Sequence, residues 1–351
     1  MRRIAIYHIT PALILSFTML LLVSGVIRLF KIEEARLRGI LFFVALLKPL
    51  VVLIRGTFPL PYSIYAPVAI NLQLPDPMDF IPAHLWHIET HPGKIDIYAT
   101  DINMCVSLIL ILAVAGIFLF WRWRSYYLFC KDLSRQSSFA KDEDDKLSDI
   151  FARLQEKIPA RVRLLITREK YESPFSIGVK NPLMVCPFYI LAHLTSEEKE
   201  AVLAHEFLHI QKKDTLWQWI PVILKDLLLF SPFAYLSFMK VCLEREKKVD
   251  RAVAKLLSDS KPLASALLKT AKLMSERKKS LPMHQSFFTQ KFLAPGKSLT
   301  ERIKPLIDFK AISDERMSRG KRILMGFIVF LLLYPQVFIH IRVFFYKIQI
   351  F

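Results

Sequence analysis

A chain of 351 residues is long enough for one large domain or two modest ones. It is 53% hydrophobic and 12% aromatic, has only 9 Gly, and carries a formal net charge of +18. So apolar a composition argues against a soluble globular protein, and the charge narrows the partners to nucleic acid or an anionic membrane surface.

Along the chain, the first element is an uncharged run from Pro11 to Ile27 that ends at Arg28. It predicts a transmembrane helix over about 9–28. No small-x-small cleavage site follows, and most basic residues come after it, so it reads as a retained span and not a signal peptide. A second span, over about 40–60, contains Lys48 and Pro49 and has Arg55 near its end. Lys48 is expected to snorkel to an interface, with a functional intramembrane lysine as the rival reading. The third span, Ile102 to Trp121, is uncharged and closes on alternating Trp and Arg, an interfacial belt. The fourth, Ile323 to Ile341, follows Arg319, Lys321 and Arg322 and lies in a C-terminal segment 323–351.

Loop charge sets the orientation. Arg28, Lys31, Arg36 and Arg38 crowd 28–39, whereas 55–103 holds five acids against Arg55 and Lys94. The positive-inside asymmetry puts 28–39 and the chain after Trp121 in the cytoplasm, and the loop 57–101 outside. Lys240 to Arg322 holds 21 Lys and Arg against 9 Asp and Glu. Most of the positive charge therefore adjoins the inner membrane surface, where anionic lipid accounts for it. No helix-turn-helix, zinc-finger or aromatic-basic pattern points to direct nucleic-acid binding. Cys105, Cys130, Cys186 and Cys242 are far apart and form no CxxC pair, which argues for buried free thiols over disulfides or a thiolate zinc site.

The working region is 122–322. Three short strands are expected, over 161–167, 174–179 and 182–187. Thr195-Ser-Glu-Glu198 is a capping box and starts a helix that runs to about Lys213. That helix carries His205-Glu206-Phe-Leu-His209. Residues four apart share a face, so both imidazoles can meet one zinc ion. Glu206 sits one position round, where it can take a proton from an attacking water and return it to a leaving amine. The helix is otherwise apolar almost all round, and two core histidines satisfied by hydrogen bonds are the plain alternative. Zinc needs a third protein ligand. Glu246 fits, with Glu244 as its rival. Asp250, four residues after Glu246, fits an acceptor that orients a ligating histidine. Asp214 is either a second such acceptor or a helix-end acid.

Leu216 to Phe238 is very apolar but contains Lys225, Asp226 and the helix-breaking Ser231-Pro232. Each half is too short to cross about 30 Å of hydrocarbon at about 1.5 Å per residue. A re-entrant hairpin over 216–240, dipping into the bilayer from the cytoplasmic face, is the expectation. The polar stretch Leu281 to Gly296 reads as a surface loop, with a self-processing site as the alternative. The fold class expected is an α+β membrane protein. It has about four transmembrane helices, a cytoplasmic-facing zinc-protease domain with a small β-sheet, and the membrane-dipping hairpin.

Ser173 to Gly178, Asn181-Pro182, Cys186-Pro187, the capped HEFLH helix, Asp214, Phe230-Ser-Pro232, the Glu246–Asp250 pair and Leu299-Thr-Glu-Arg-Ile303 together resemble the BlaR/MecR family of membrane zinc metallopeptidases, of gluzincin type. The likeness covers about 122–310 well. The resemblance implies a bacterial inner-membrane signalling protease that cleaves itself and leads to loss of a cytoplasmic transcriptional repressor. It also implies an extracellular penicillin-binding sensor after the last span. The sequence ends at Phe351, so this chain is expected to lack that sensor, leaving 57–101 as the sensing loop.

The expected function is hydrolysis of peptide bonds in a peptide or protein substrate, with Zn2+ as cofactor. Substrate is expected as an added strand along 182–187, against Leu183, Met184 and Val185. The lipid bilayer is a further partner, and a homodimer stays open. Two other readings stand beside this one: a non-catalytic receptor or scaffold with a structural zinc, and a broad quality-control membrane protease.

Overall fold

The computed structural model describes residues 10–55, 97–135, 145–168, 171, 173–178, 181–277, 297–307 and 326. All of the expected fourth span but residue 326, all but the last residues of the loop 57–101, and the stretch 281–296 lie outside them. The described chain is mostly helical, with one small sheet.

Helix α1, Thr10–Leu29, carries no charge before Arg28. Its Ala12–Leu29 stretch is long and apolar enough to cross a membrane. The chain turns at Lys31, whose φ of 45° ends the helix, and returns as α2, Ala35–Arg55. The two helices pack through Met19, Val23, Leu41 and Ala45. Helix α3, Ile97–Arg135, runs unbroken through 39 residues and so continues past the expected span end at Trp121. Its last part lays Tyr126, Phe129 and Leu133 on one face of the sheet.

Helix α4, Asp145–Lys157, leads to strands β1, Arg163–Thr167, β2, Phe175–Ile177, and β3, Leu183–Pro187. The sheet order is β1-β3-β2. β3 pairs parallel with β1, setting Leu165 against Val185, and antiparallel with β2, setting Phe175 against Val185. Gly178 makes the β2–β3 turn with φ of +87°, where an added Cβ would come within 3.0 Å of the Asn181 carbonyl oxygen. This order corrects one expectation. β3 carries Leu183, Met184 and Val185 but is the central strand, its backbone bonded on both sides, and Met184 and Val185 are fully buried. It has no edge to offer a substrate. Alternation in the sequence identified a strand without indicating its neighbours.

A short turn of helix, α5, Phe188–Leu191, precedes α6, Ser196–Gln211. The capping box is formed: the Glu198 N–H donates to Thr195 Oγ1 (3.3 Å) and the Thr195 N–H to Glu198 Oε2 (2.9 Å). The chain continues as α7, Asp214–Trp217, and α8, Trp219–Leu227. It breaks at 228–231 and resumes as α9, Pro232–Leu257, whose Ser231 cap accepts from the Ala234 N–H (3.2 Å). Pro232 at the first helical turn needs no N–H partner. Helices α10, Lys261–Arg277, and α11, Lys297–Ile307, complete the described chain.

Two cores result. One joins α4, the sheet, α6, α9, α10 and α11 around Phe207, Leu203, Val249, Val253 and Leu267. The other joins α1, α2, α8 and α9 through Ala12, Leu46, Leu50, Leu224, Leu228 and Ala234. Helix α9 belongs to both, and thereby ties the site to the apolar helices.

Candidate metal centre

Residues 201–208 of helix α6 are all buried, and the polar ones among them are His205 and Glu206, with half-buried His209 one turn on. The i, i+4 spacing brings the two rings to 4.6 Å between centroids, with their Nε2 atoms 3.0 Å apart. Helix α9 passes alongside and presents Glu246, whose Oε2 lies 3.4 Å from His205 Nε2 and 3.7 Å from His209 Nε2. These three donors form the one group able to hold a metal ion among the described residues.

Each imidazole has a carboxylate behind it. His209 Nδ1 lies 2.8 Å from Asp214 Oδ2, and His205 Nδ1 lies 3.1 Å from Asp250 Oδ1. Lys213 makes the first contact possible: its left-handed backbone (φ 54°) ends the α6 segment and turns Asp214 back beneath His209. An acceptor at Nδ1 holds that nitrogen protonated and turns the Nε2 lone pair to the shared point. Glu244, the rival ligand, faces elsewhere. It is buried against Arg38 of α2 (3.0 Å) and Lys247 (3.1 Å).

The set fits a divalent ion on two counts. Tetrahedral zinc with bonds of about 2.0–2.1 Å would space its ligands by roughly 3.3 Å, and the three observed separations bracket that value. The charge also fits. Glu206, Asp214, Glu246 and Asp250 converge here, and the cations paired with Glu246 and Asp250 are Arg245 and Arg302. A divalent ion would supply further positive charge. Burial works against a charged His209, yet the Glu246 carboxylate and the Asp214 hydrogen bond prevail and push it up to about 9. Burial likewise opposes charge on Glu246, but His209, a hydrogen bond from His205 and the nearby Arg302 hold it well below the usual carboxylate range. Protons and a metal compete for such a site. Cys186 lies outside the donor group, and burial, then the Glu206 charge, pushes its thiol up. Cys130, Cys186 and Cys242 are free thiols.

The donors and Glu206 line an open cleft of about 110 Å³. Its walls come from β2, through Phe175, Ser176 and Ile177, from α3, through Arg122 and Tyr126, and from Trp219 of α8. The Lys225–Asp226 pair, isolated in the sequence, is explained here. Asp226 accepts from Arg122 Nε (2.8 Å) and Nη2 (3.3 Å), and Lys225 pairs with the same carboxylate.

One contact has no local sequence signal. Arg302 of α11 is 2% exposed and grips Asp250 through Nε (2.8 Å) and Nη2 (2.7 Å). Its Nη1 lies 3.5 Å from Glu246 Oε2.

Two imidazoles from α6 and a glutamate from α9, with a second glutamate buried beside them in the cleft, make a candidate metal centre. Residues 45–306, well over half of the chain, match the family described as BlaR1 peptidase M56, and the chain belongs to that family. It is similar to the methicillin resistance mecR1 protein of Staphylococcus aureus, 23% identical over 154 residues, which are 43% of this chain and 25% of that protein. It is also similar to the regulatory protein BlaR1 of Bacillus licheniformis, 26% identical over 171 residues, 48% of this chain and 27% of that one. The chain spans about a quarter of the length of the curated relatives it matches.

Proposed function

We propose that this chain is a membrane-embedded zinc endopeptidase acting in regulated signalling, by cleaving itself or a cytoplasmic regulator. The observation that carries this is the convergence of His205, His209 and Glu246 on one point beside buried Glu206, at the floor of a cleft open to a substrate. A structural zinc site is closed by its ligands. Here three protein donors leave a position facing the cleft, which favours catalysis over the scaffold reading.

His205, His209 and Glu246 would hold zinc, which when bound would supply Lewis acidity toward the scissile carbonyl and the attacking water. Glu206 accepts the proton that water loses and passes it to the leaving amine. Asp214 and Asp250 keep the imidazoles in the binding tautomer. Substrate backbone adds to β2, which lines the cleft and ends the sheet on the side away from β1. The aromatic wall of Tyr126, Phe175 and Trp219 takes a large apolar side chain.

Membrane embedding has support beyond α1. Ile109, Leu110, Ile117, Phe118, Phe120 and Trp121 of α3 are all more than half exposed. Burying one such side chain is worth about 1.5–3 kcal/mol. Leaving this row in water would forgo free energy of the order of a domain's net stability, about 5–15 kcal/mol. Lipid removes the conflict. The turn between α1 and α2 lies on the side of the zinc-protease domain, where Arg251 donates to the Glu33 carbonyl (3.2 Å) and Arg38 meets Glu244. That placement supports a domain and a basic loop on one side, the cytoplasmic side by charge. The break at 228–231 and the exposed Ile220, Leu229, Tyr235 and Leu236 support a hairpin reaching into the bilayer. The names of the relatives favour regulated signalling over broad quality control.

The test is expression of the full chain and of Glu206→Gln, with metal analysis, a casein assay and N-terminal sequencing of fragments. The wild type should carry zinc and cleave. The variant should keep zinc and lose cleavage by at least about 10²–10⁴-fold. Full cleavage by the variant would overturn the role given to Glu206, and zinc without cleavage in either chain would favour a scaffold.

A further inference from the structure

A buried arginine is costly unless its charge and all its donors are matched, so a fully enclosed one marks a position where its geometry is needed. Arg302 is such a residue. Its helix, α11, is held in register by three independent tethers. Ile303 and Leu306 enter the main core, Ser260 donates to the Leu306 carbonyl, and Glu301 accepts from Lys247 (2.9 Å) and Lys240 (3.3 Å). The guanidinium therefore meets the metal centre from a fixed direction.

Its contacts fall on two oxygens that matter. The Asp250 Oδ1 that accepts from Arg302 Nη2 at 2.7 Å is the same oxygen that lies 3.1 Å from His205 Nδ1. The Glu246 Oε2 that lies 3.5 Å from Arg302 Nη1 is the same oxygen that faces both imidazole Nε2 atoms. One planar fork thus addresses the group that orients a histidine and the carboxylate that completes the donor set.

We infer that Arg302 is a positioning residue of the metal centre: from a separate helix, its bidentate grip on Asp250 sets the His205 tautomer, and its third nitrogen fixes Glu246. The inference rests on the metallopeptidase reading. Arg302 lies outside the donor group and the cleft lining, and acts through Asp250 and Glu246. A lysine could keep the charge, but as a point donor it cannot hold both Asp250 oxygens and Glu246 at once.

The test uses the full chain in detergent, with zinc alone as the probe. Zinc affinity is read by competition with a chromophoric chelator, beside thermal melting of the metal-free protein. Arg302→Met should weaken zinc about 10–100-fold, the range for lost orienting partners of ligands. Arg302→Lys should weaken it about 3–10-fold while the metal-free protein melts within a few degrees of wild type. A merely structural or charge-balancing arginine would leave zinc affinity unmoved in that lysine variant. Asp250→Asn should weaken zinc as Arg302→Met does, and the double variant should be no worse than the poorer single one, since both act through one contact. Should Arg302→Met fail to fold, the lysine variant decides. Wild-type affinity in folded Arg302→Lys and Arg302→Met would overturn the inference. A wild-type chain that takes up no zinc would instead overturn the metallopeptidase reading on which it stands.

Discussion

A glutamate near a metal can be a ligand, a base or a bystander, and its contacts separate the three. Glu246 points an oxygen at both imidazoles, Glu206 lies buried at the cleft floor, and Glu244 is spent on Arg38 and Lys247. Three substitutions should therefore give three outcomes in metal analysis and peptidase assays. Glu246→Gln should lose zinc. Glu206→Gln should keep zinc and lose cleavage. Glu244→Gln should keep zinc and show its effect in stability, since it removes the negative charge that Arg38 and Lys247 share. A zinc-free Glu244→Gln with a zinc-loaded Glu246→Gln would reverse the ligand assignment. Asp214→Asn should weaken zinc by about 10–100-fold, measured by chelator competition, because the His209 ring would lose the carboxylate that orients it.

Helix α6 carries most of the site, and its ends show how local sequence can fix function. Thr195 and Glu198 close its first turn reciprocally, and Glu198 also accepts from Lys269 (2.8 Å) and Ser265 of α10. Burial works against an ionised Glu198, but the bond from Lys269, then those from Ser265 and the Thr195 N–H, hold its carboxyl below the ordinary range. A depressed acid stabilises the fold fully above its unfolded pKa, about 4.3, and that share is lost as pH falls through the folded value. The melting temperature of wild type should thus exceed that of Glu198→Gln near neutrality, and the gap should shrink below about pH 4.3. A gap that widens on acidification would contradict this. The cap, the i, i+4 histidine spacing and the Ser231-Pro232 break were all legible in the sequence, because each is written within a few residues. Sheet order was not. It depends on pairings between segments, and nothing local to 183–185 says that both neighbours would be strands. Arg302 is likewise read from the sequence only as part of a resemblance, since its partner Asp250 lies 52 residues away.

Helix α9 lies in two of the apolar clusters, and charged contacts carry the link between the apolar helices α2 and α3 and the site. Arg38 of α2 reaches Glu244, two residues before Glu246, and Arg122 of α3 reaches Asp226 at the cleft wall. At about 1.5 Å per residue, the 39 residues of α3 extend roughly 58 Å, nearly twice the hydrocarbon thickness. One half can cross lipid while the other lies on the sheet. The charge pattern then makes a topological prediction. In a chain stripped of its own cysteines, Lys94→Cys should react with an impermeant maleimide in intact cells, and Lys272→Cys only after permeabilisation. The opposite pattern would place the zinc-protease domain outside. The metal centre itself is tested most directly by X-ray absorption at the zinc edge on the purified chain. One zinc per chain is expected, with two imidazole nitrogens and carboxylate oxygen at about 2.0–2.2 Å and no sulfur. A sulfur shell at about 2.3 Å, or a chain that binds no zinc, would contradict the convergence of His205, His209 and Glu246 on one ion.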